Sequence, residues 1–208
     1  MLIIFDVDDT LVDSRRLIKA REDAHITNIA AHYNIKKNEA VELLQQARNE
    51  NKLLSKFSTL DAMLRLGFTK QEYNAIMDGV SIDGNVVLFD GVQETLEQLA
   101  QKYTLVTLSS TPSVSSRRTL EYTNIINYFK ALYCPDTHNF TKPSTEIYRR
   151  ILADFKVSSG YSVGDSVEKD LAPAKEVGLT AVLFSKKKDT GVDYCIEYFK
   201  QLLYMTQN

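Results

Sequence analysis

Leu2-Ile3-Ile4-Phe5-Asp6-Val7-Asp8-Asp9-Thr10 sets four apolar residues directly before three carboxylates. An unbroken hydrophobic run of this kind reads as a strand over residues 1–7, buried on both faces as in a parallel sheet. In an open α/β sheet, ligands gather beyond the carboxyl ends of the strands, which is where this acidic run falls. Strand alternation sends Asp6 and Asp8 to one side and Val7 to the other. Like charges so close repel unless a cation or a proton neutralises them. Packing gives no reason for the pattern; a metal-assisted site with one carboxylate free to attack does.

Outward from this strand, residues 15–83 carry no further strand-like run. Leu17, Ala20, Ala24 and Ile29 to Ala31 share one helical face, and a second helix runs from Asn38 through Val41, Leu43, Leu44 and Ala47. Gly67 closes the helix before Thr69-Lys70-Gln71-Glu72, a capping-box pattern that opens another helix ending near Gly79. The block reads as an all-helical insertion over 15–83, flanked by a core of 1–14 and 84–208. In the second core segment, strands are expected at Thr104 to Leu108, Ala131 to Cys134, Tyr161 to Val163 and Thr180 to Phe184. Helices are expected after Gly91, around Leu120, after a Ser144 cap and after Asp165. Tyr194 to Leu203 reads as a short strand and a docking helix. Such alternation implies a three-layer α/β/α Rossmann-like parallel sheet with an inserted all-helical cap subdomain.

Composition narrows the function. The 208 residues are 44% hydrophobic and 25% charged, with a formal net charge of −2, so no basic footprint for nucleic acid is present. No apolar run approaches the roughly 20 residues of a bilayer span, and no signal-peptide pattern is read at the N-terminus. Cys134 and Cys195 form neither a disulfide framework nor a CxxC motif. They read as small core residues, and a reducing cytoplasm is the expected location.

Four loops loaded with chemistry follow predicted strands: Asp6 to Thr10, Ser109-Ser110-Thr111, Lys142-Pro143, and Gly164-Asp165-Ser166 with Asp170 beyond. A parallel sheet brings such loops to one edge. Carboxylates, hydroxyls and one ammonium are the inventory for moving a phosphoryl group with an oxygen-ligated Mg²⁺.

At these residues the chain resembles the haloacid dehalogenase (HAD) superfamily hydrolases of phosphatase type with a helical cap. Four motifs stand in order: IIFDVDDTLVDS, LVTLSS, the lysine of TKPSTEIY, and VGDSVEKDLAPAKEVGL. Residues 15–83 match the cap in position and helical character only. The resemblance implies that Asp6 is a nucleophile forming an aspartyl-phosphate, assisted by Mg²⁺. Asp8 would protonate the leaving oxygen, activate water, and lend its backbone carbonyl to the metal. Lys142 would bridge the nucleophile and the phosphoryl group, and Asp165 would ligate Mg²⁺ with Asp6. Asp170 would hold Lys142 or a metal-bound water, Ser166 would assist the metal shell, and Thr10 would steady the loop through backbone hydrogen bonds. Asp9 divides evenly between moving the cap and plain turn chemistry. Ser109 is the expected phosphate-binding hydroxyl, with Ser110 and Thr107 as competitors. The cap would exclude bulk water and choose the substrate.

Other residues are expected to matter less. Arg15, Arg16, Lys19 and Arg21, with Arg48, Lys52 and Lys56, read as solvated helix faces. His25 and His32, seven apart, have no partners for a transition-metal set; His138, just before the lysine motif, could border the pocket but is assigned no chemistry, and Lys186-Lys187-Lys188 reads as a soluble charge run. The reading is a Mg²⁺-dependent phosphatase of a small phosphorylated metabolite, with no nucleic-acid or membrane partner. Rivals are a phosphomutase, a phosphonate hydrolase using Lys52 or Lys56 as a Schiff base, and a non-catalytic phospho-ligand-binding regulator. The substrate and the oligomeric state follow from no pattern in the chain.

Overall fold

Leu2–Phe5 forms strand β1, with all four side chains buried. The strand stops at Phe5, short of the expected residue 7, because the chain turns: the Val7 carbonyl accepts the N–H groups of Thr10, Leu11 and Val12. Val12–Asp13 then forms a two-residue strand, β2. The computed structural model describes residues 1–53, 59–140 and 142–205. Lys56 and Thr141 fall outside them, as does the side chain of Lys52.

The described chain divides into two compact units, one of Met1–Ser14 with Val86–Asn208 and one of Arg15–Asn85. The second unit is helical: α1 (Arg15–Tyr33), α2 (Lys37–Leu53), α3 (Thr59–Arg65) and α4 (Lys70–Gly79). The Thr69–Glu72 capping box that opens α4 is formed in both directions. Ile29, Ala40, Leu44, Met63, Phe68 and Met77 make its core. The buried stripe of α1 runs Leu17, Arg21, His25, Ile29 at a spacing of four. Arg21 is therefore inside, which corrects the solvated-face reading for that residue, whereas Arg15, Arg16 and Lys19 are exposed. His25 stacks flat on Tyr73 with ring centres 5.4 Å apart. Arg48 forms an ion pair with Glu22 at 2.6 Å.

The first unit resumes with β3 (Val87–Leu88), which pairs antiparallel with β2. There follow α5 (Val92–Ala100), β4 (Thr104–Leu108), α6 (Ser113–Tyr122), β5 (Phe129–Tyr133), α7 (Pro135–His138), α8 (Thr145–Asp154) and β6 (Gly160–Gly164). A π-type turn at Val167–Leu171 leads into α9 (Ala172–Glu176), then β7 (Thr180–Phe184), β8 (Tyr194–Ile196) and α10 (Leu202–Met205). The six-stranded sheet is parallel throughout, in the order β5-β4-β1-β6-β7-β8.

Alternation along β1 builds the layers. Leu2 and Ile4 pack with Ile147, Tyr148, Ile151 and Leu152 of α8 and with Ala174 of α9. Phe5 sits on Phe199 and Phe129, with centroids 5.9 and 6.1 Å away. The three-layer α/β/α architecture is thus present. Among the described residues no helix is long and apolar enough to cross a membrane. Cys134 is buried and Cys195 partly so, both unpaired.

Candidate active site

The order of strands reverses across β1, whose neighbours are β4 on one side and β6 on the other. At such a switch point the loops leaving adjacent strands diverge and open a crevice. The residues leaving β1, β4 and β6 are Asp6, Ser109 and Asp165. Phe5 is in register with Thr107 and Val163, and the Asp6 N–H donates to the Val163 carbonyl at 2.9 Å. Asp6 is thereby fixed to the sheet at its backbone.

Its carboxylate is gripped on both oxygens. Lys142 Nζ donates to Oδ1 at 2.6 Å, and the Thr10 hydroxyl donates to Oδ2 at 3.1 Å. Thr10, whose N–H donates to the Val7 carbonyl within this turn, thus also holds Asp6 with its side chain. Alternation does not reach Asp8, because the strand has already ended. A turn places it instead, and Asp8 Oδ2 accepts from the Thr111 hydroxyl at 2.8 Å. Asp9 has a positive φ of 61° and takes the Ser14 N–H and hydroxyl on Oδ1.

Lys142 does not follow its strand directly, since the four-residue helix α7 intervenes. Its side chain is 2% exposed, and Nζ also donates to Asp170 Oδ1 at 2.8 Å. Asp170 is buried; its Oδ2 accepts from Ser166 N at 3.2 Å, and its carbonyl accepts from the Tyr148 hydroxyl at 2.7 Å. Ser166 Oγ accepts from Lys169 N as a cap on the following turn. Ser109 is buried, and its Oγ accepts from Thr111 N at 3.0 Å, which leaves its own hydrogen to donate. Ser110 is exposed, and Thr107 lies inside the sheet.

Electrostatics follow from this crowding. Burial disfavours the charge on Lys142, yet Asp6 and then Asp170 more than reverse that and hold the ammonium protonated. Burial pushes the Asp6 carboxyl up to about 7; Lys142 opposes the shift, and Asp170 and Asp8 add to it. Asp165 is pushed up to about 6 by desolvation first, then by Asp170 and Asp9. One lysine against this many carboxylates leaves negative charge that a cation would offset.

One carboxylate oxygen from each of Asp6, Asp165 and Asp170 lies within 4.8 Å of the other two. An all-oxygen set of this spacing fits a hard divalent cation. Both oxygens of Asp6 and of Asp170 already accept hydrogen bonds, Asp170 is the most deeply buried of the three, and Asp165 is the most open. His138 packs on Tyr133 and contacts Thr137, with no place in this set.

Residues 3–184 match the family model described as haloacid dehalogenase-like hydrolase. The chain belongs to that family. This hydrolase is 26% identical to a glyceraldehyde 3-phosphate phosphatase of Methanocaldococcus jannaschii, over 99% of the chain and 96% of the relative. It is 25% identical to the Escherichia coli 5-amino-6-(5-phospho-D-ribitylamino)uracil phosphatase YigB, over 86% and 81%. Among solved structures, a HAD phosphatase from Thermococcus onnurineus superposes with a TM-score of 0.74 at 22% identity, covering 99% and 97% of the two chains. At that identity the likeness speaks for the fold.

The sequence assigns no role to three residues that shape the site of this hydrolase, although two of them, Thr111 and Gly164, lie in the loops it singles out. Thr111 and Tyr148 carry no motif weight of their own. Gly164 does leave a signal, a glycine inside a strand pattern, which marks a close approach. A Cβ placed there would lie 2.7 Å from the Asp170 Cβ and 2.8 Å from its Oδ2.

Proposed function

We propose that this hydrolase is a cytoplasmic, Mg²⁺-dependent phosphatase that cleaves a small phosphorylated metabolite through a phosphoryl group carried on Asp6. The observation that carries the reading is the clamp on Asp6, with Lys142 on one carboxylate oxygen and Thr10 on the other, beside a second acid, Asp8. A carboxylate is a weak nucleophile, so orientation and charge neutralisation must supply the rate. The phosphatase names of the two relatives support the same class of reaction.

An Asp6 oxygen bonds to phosphorus as the ester P–O bond breaks, and Asp8 gives its proton to the leaving oxygen. Asp8, now a carboxylate, takes a proton from water. The water oxygen bonds to phosphorus and Asp6 is released. Lys142 and the Ser109 hydroxyl hold phosphoryl oxygens, while Asp170 keeps Lys142 in place. Asp6, Asp165 and the Asp8 carbonyl are the groups that would hold Mg²⁺, which when bound supplies positive charge for the transferring group.

The test is phosphate release by purified protein with Mg²⁺ from a panel of sugar phosphates, glyceraldehyde 3-phosphate, nucleoside monophosphates, phosphoglycolate and pyrophosphate. Turnover should stop with chelator and return with Mg²⁺, and Asp6→Asn should abolish it. Acid-quenched wild type should carry phosphate on the peptide that contains Asp6. A wild type inert toward the whole panel, or an active Asp6→Asn variant, overturns the assignment.

A further inference from the structure

We propose that Thr111 is a positioning residue for Asp8, fixing the carboxyl group of the acid/base in the orientation that proton transfer needs. The inference rests on the phosphatase reading above. The Thr111 hydroxyl reaches Asp8 Oδ2 at 2.8 Å from a loop 103 positions away in sequence. A hydroxyl has one hydrogen to give. Spending it on Oδ2 assigns that oxygen to Thr111 and reserves Oδ1 for the proton in transit.

Thr111 can orient another group because it is itself held. Its N–H donates to Ser109 Oγ at 3.0 Å, and its carbonyl accepts from the buried Ser116 hydroxyl at 3.1 Å. Two residues on, Ser113 gives its N–H and hydroxyl to the two oxygens of Asp136 at 2.9 and 2.6 Å. The ring of Pro112, φ −53°, stiffens the link between them. A β-branched side chain on such a loop has little χ1 freedom. Asp8 stands on a turn outside any strand, so its carboxyl needs an external reference. The same loop also sets Ser109, which ties the phosphate-binding hydroxyl and the acid/base to one rigid piece of chain.

In the first half-reaction the proton passes from Asp8 Oδ1 to the leaving oxygen as the ester bond breaks and the Asp6–phosphorus bond forms. In the second, water returns a proton to the same oxygen as its own oxygen bonds to phosphorus and Asp6 departs. Thr111 keeps its hydrogen throughout.

Leaving groups separate positioning from a general structural role. Dinitrophenolate departs without a proton, whereas an alkoxide needs one. Thr111→Val removes the donor and keeps the shape. With the best alkyl phosphate of the panel, kcat should fall about 10- to 100-fold, while the burst of dinitrophenolate from 2,4-dinitrophenyl phosphate slows by less than about 3-fold. Thr111→Ser should recover most of the alkyl phosphate rate. If the valine variant fails to fold, Thr111→Ala takes its place with the same expected split. Equal slowing of both reactions in a folded variant, or no slowing of either, overturns the role of Thr111 and leaves the phosphatase reading standing. A wild type that hydrolyses neither ester overturns both.

Discussion

Acid should loosen the helical unit well before it reaches any carboxylate that stabilises the fold, and His25 is the cause. The ring is 3% exposed and neither nitrogen has a hydrogen-bond partner among the described residues. Burial lowers its pKa from the ordinary 6.5 to about 4; Arg48 and Arg21 push the same way and Glu22 opposes them. The folded state therefore binds the proton less readily than the unfolded chain does. Stability is complete above pH 6.5 and is lost as pH falls toward 4. At about 1.4 kcal/mol per tenfold, the full gap is about 3 kcal/mol, with about 2 kcal/mol already gone at pH 5. Glu22 is held below its ordinary 4.5, chiefly by the hydrogen bond from Arg48, so its contribution is lost only at lower pH. Asp6 and Asp165 also titrate between pH 7.5 and pH 5, but they belong to the other unit, so the comparison must be read on peptides of the helical unit. His25→Phe keeps a ring against Tyr73 and removes the titration. Hydrogen exchange of peptides from α1 and α4 should speed up at pH 5 in the wild type, after correction for intrinsic rates, and much less in the variant. Equal loss of protection in the two proteins would refute the reasoning.

Two further outcomes follow from the site. Lys142→Met leaves Asp6 and the buried Asp170 without their shared cation and should lower the unfolding free energy by about 3–5 kcal/mol. Urea unfolding measures this, and added Mg²⁺ should restore part of the loss; an unmoved midpoint would contradict the ion-pair account. Gly164→Ala forces a methyl group into the Asp170 side chain, with an overpacking cost of about 1–3 kcal/mol. Its turnover of the best panel ester should drop because Lys142 loses its anchor, and wild-type kcat in the variant would disprove that link.

Much of the sheet is legible in the chain because its strands are buried on both faces and read as continuous apolar runs. Thr104–Leu108 and Thr180–Phe184 have the expected bounds. The β2–β3 ribbon is not legible, since two residues per strand carry no period. The same brevity hides α7, and β5 starts two residues before the expected Ala131, at Phe129, the ring that packs on Phe5. Asp6, Lys142, Asp165 and Asp170 stand out as charges at strand ends or before a helix, and the structure gathers them. Thr111 does not stand out, because what it does depends on a partner 103 residues away. Arg21 reads as a solvated residue because polar side chains are ordinarily outside. Position along α1, every fourth residue from Leu17, decided otherwise.

The antiparallel pairing of Val12–Asp13 with Val87–Leu88 bears on how the chain assembles. The segment between them, from Arg15 to Asn85, has a core of its own. Closing a floppy loop of about 70 residues to form that ribbon would cost about 4 kcal/mol of chain entropy. A helical unit that folds first shortens the effective loop and relieves most of that penalty. Collapse of the insertion should therefore precede zipping of the ribbon, and substitutions that unfold the insertion should slow formation of the sheet without touching any of its residues.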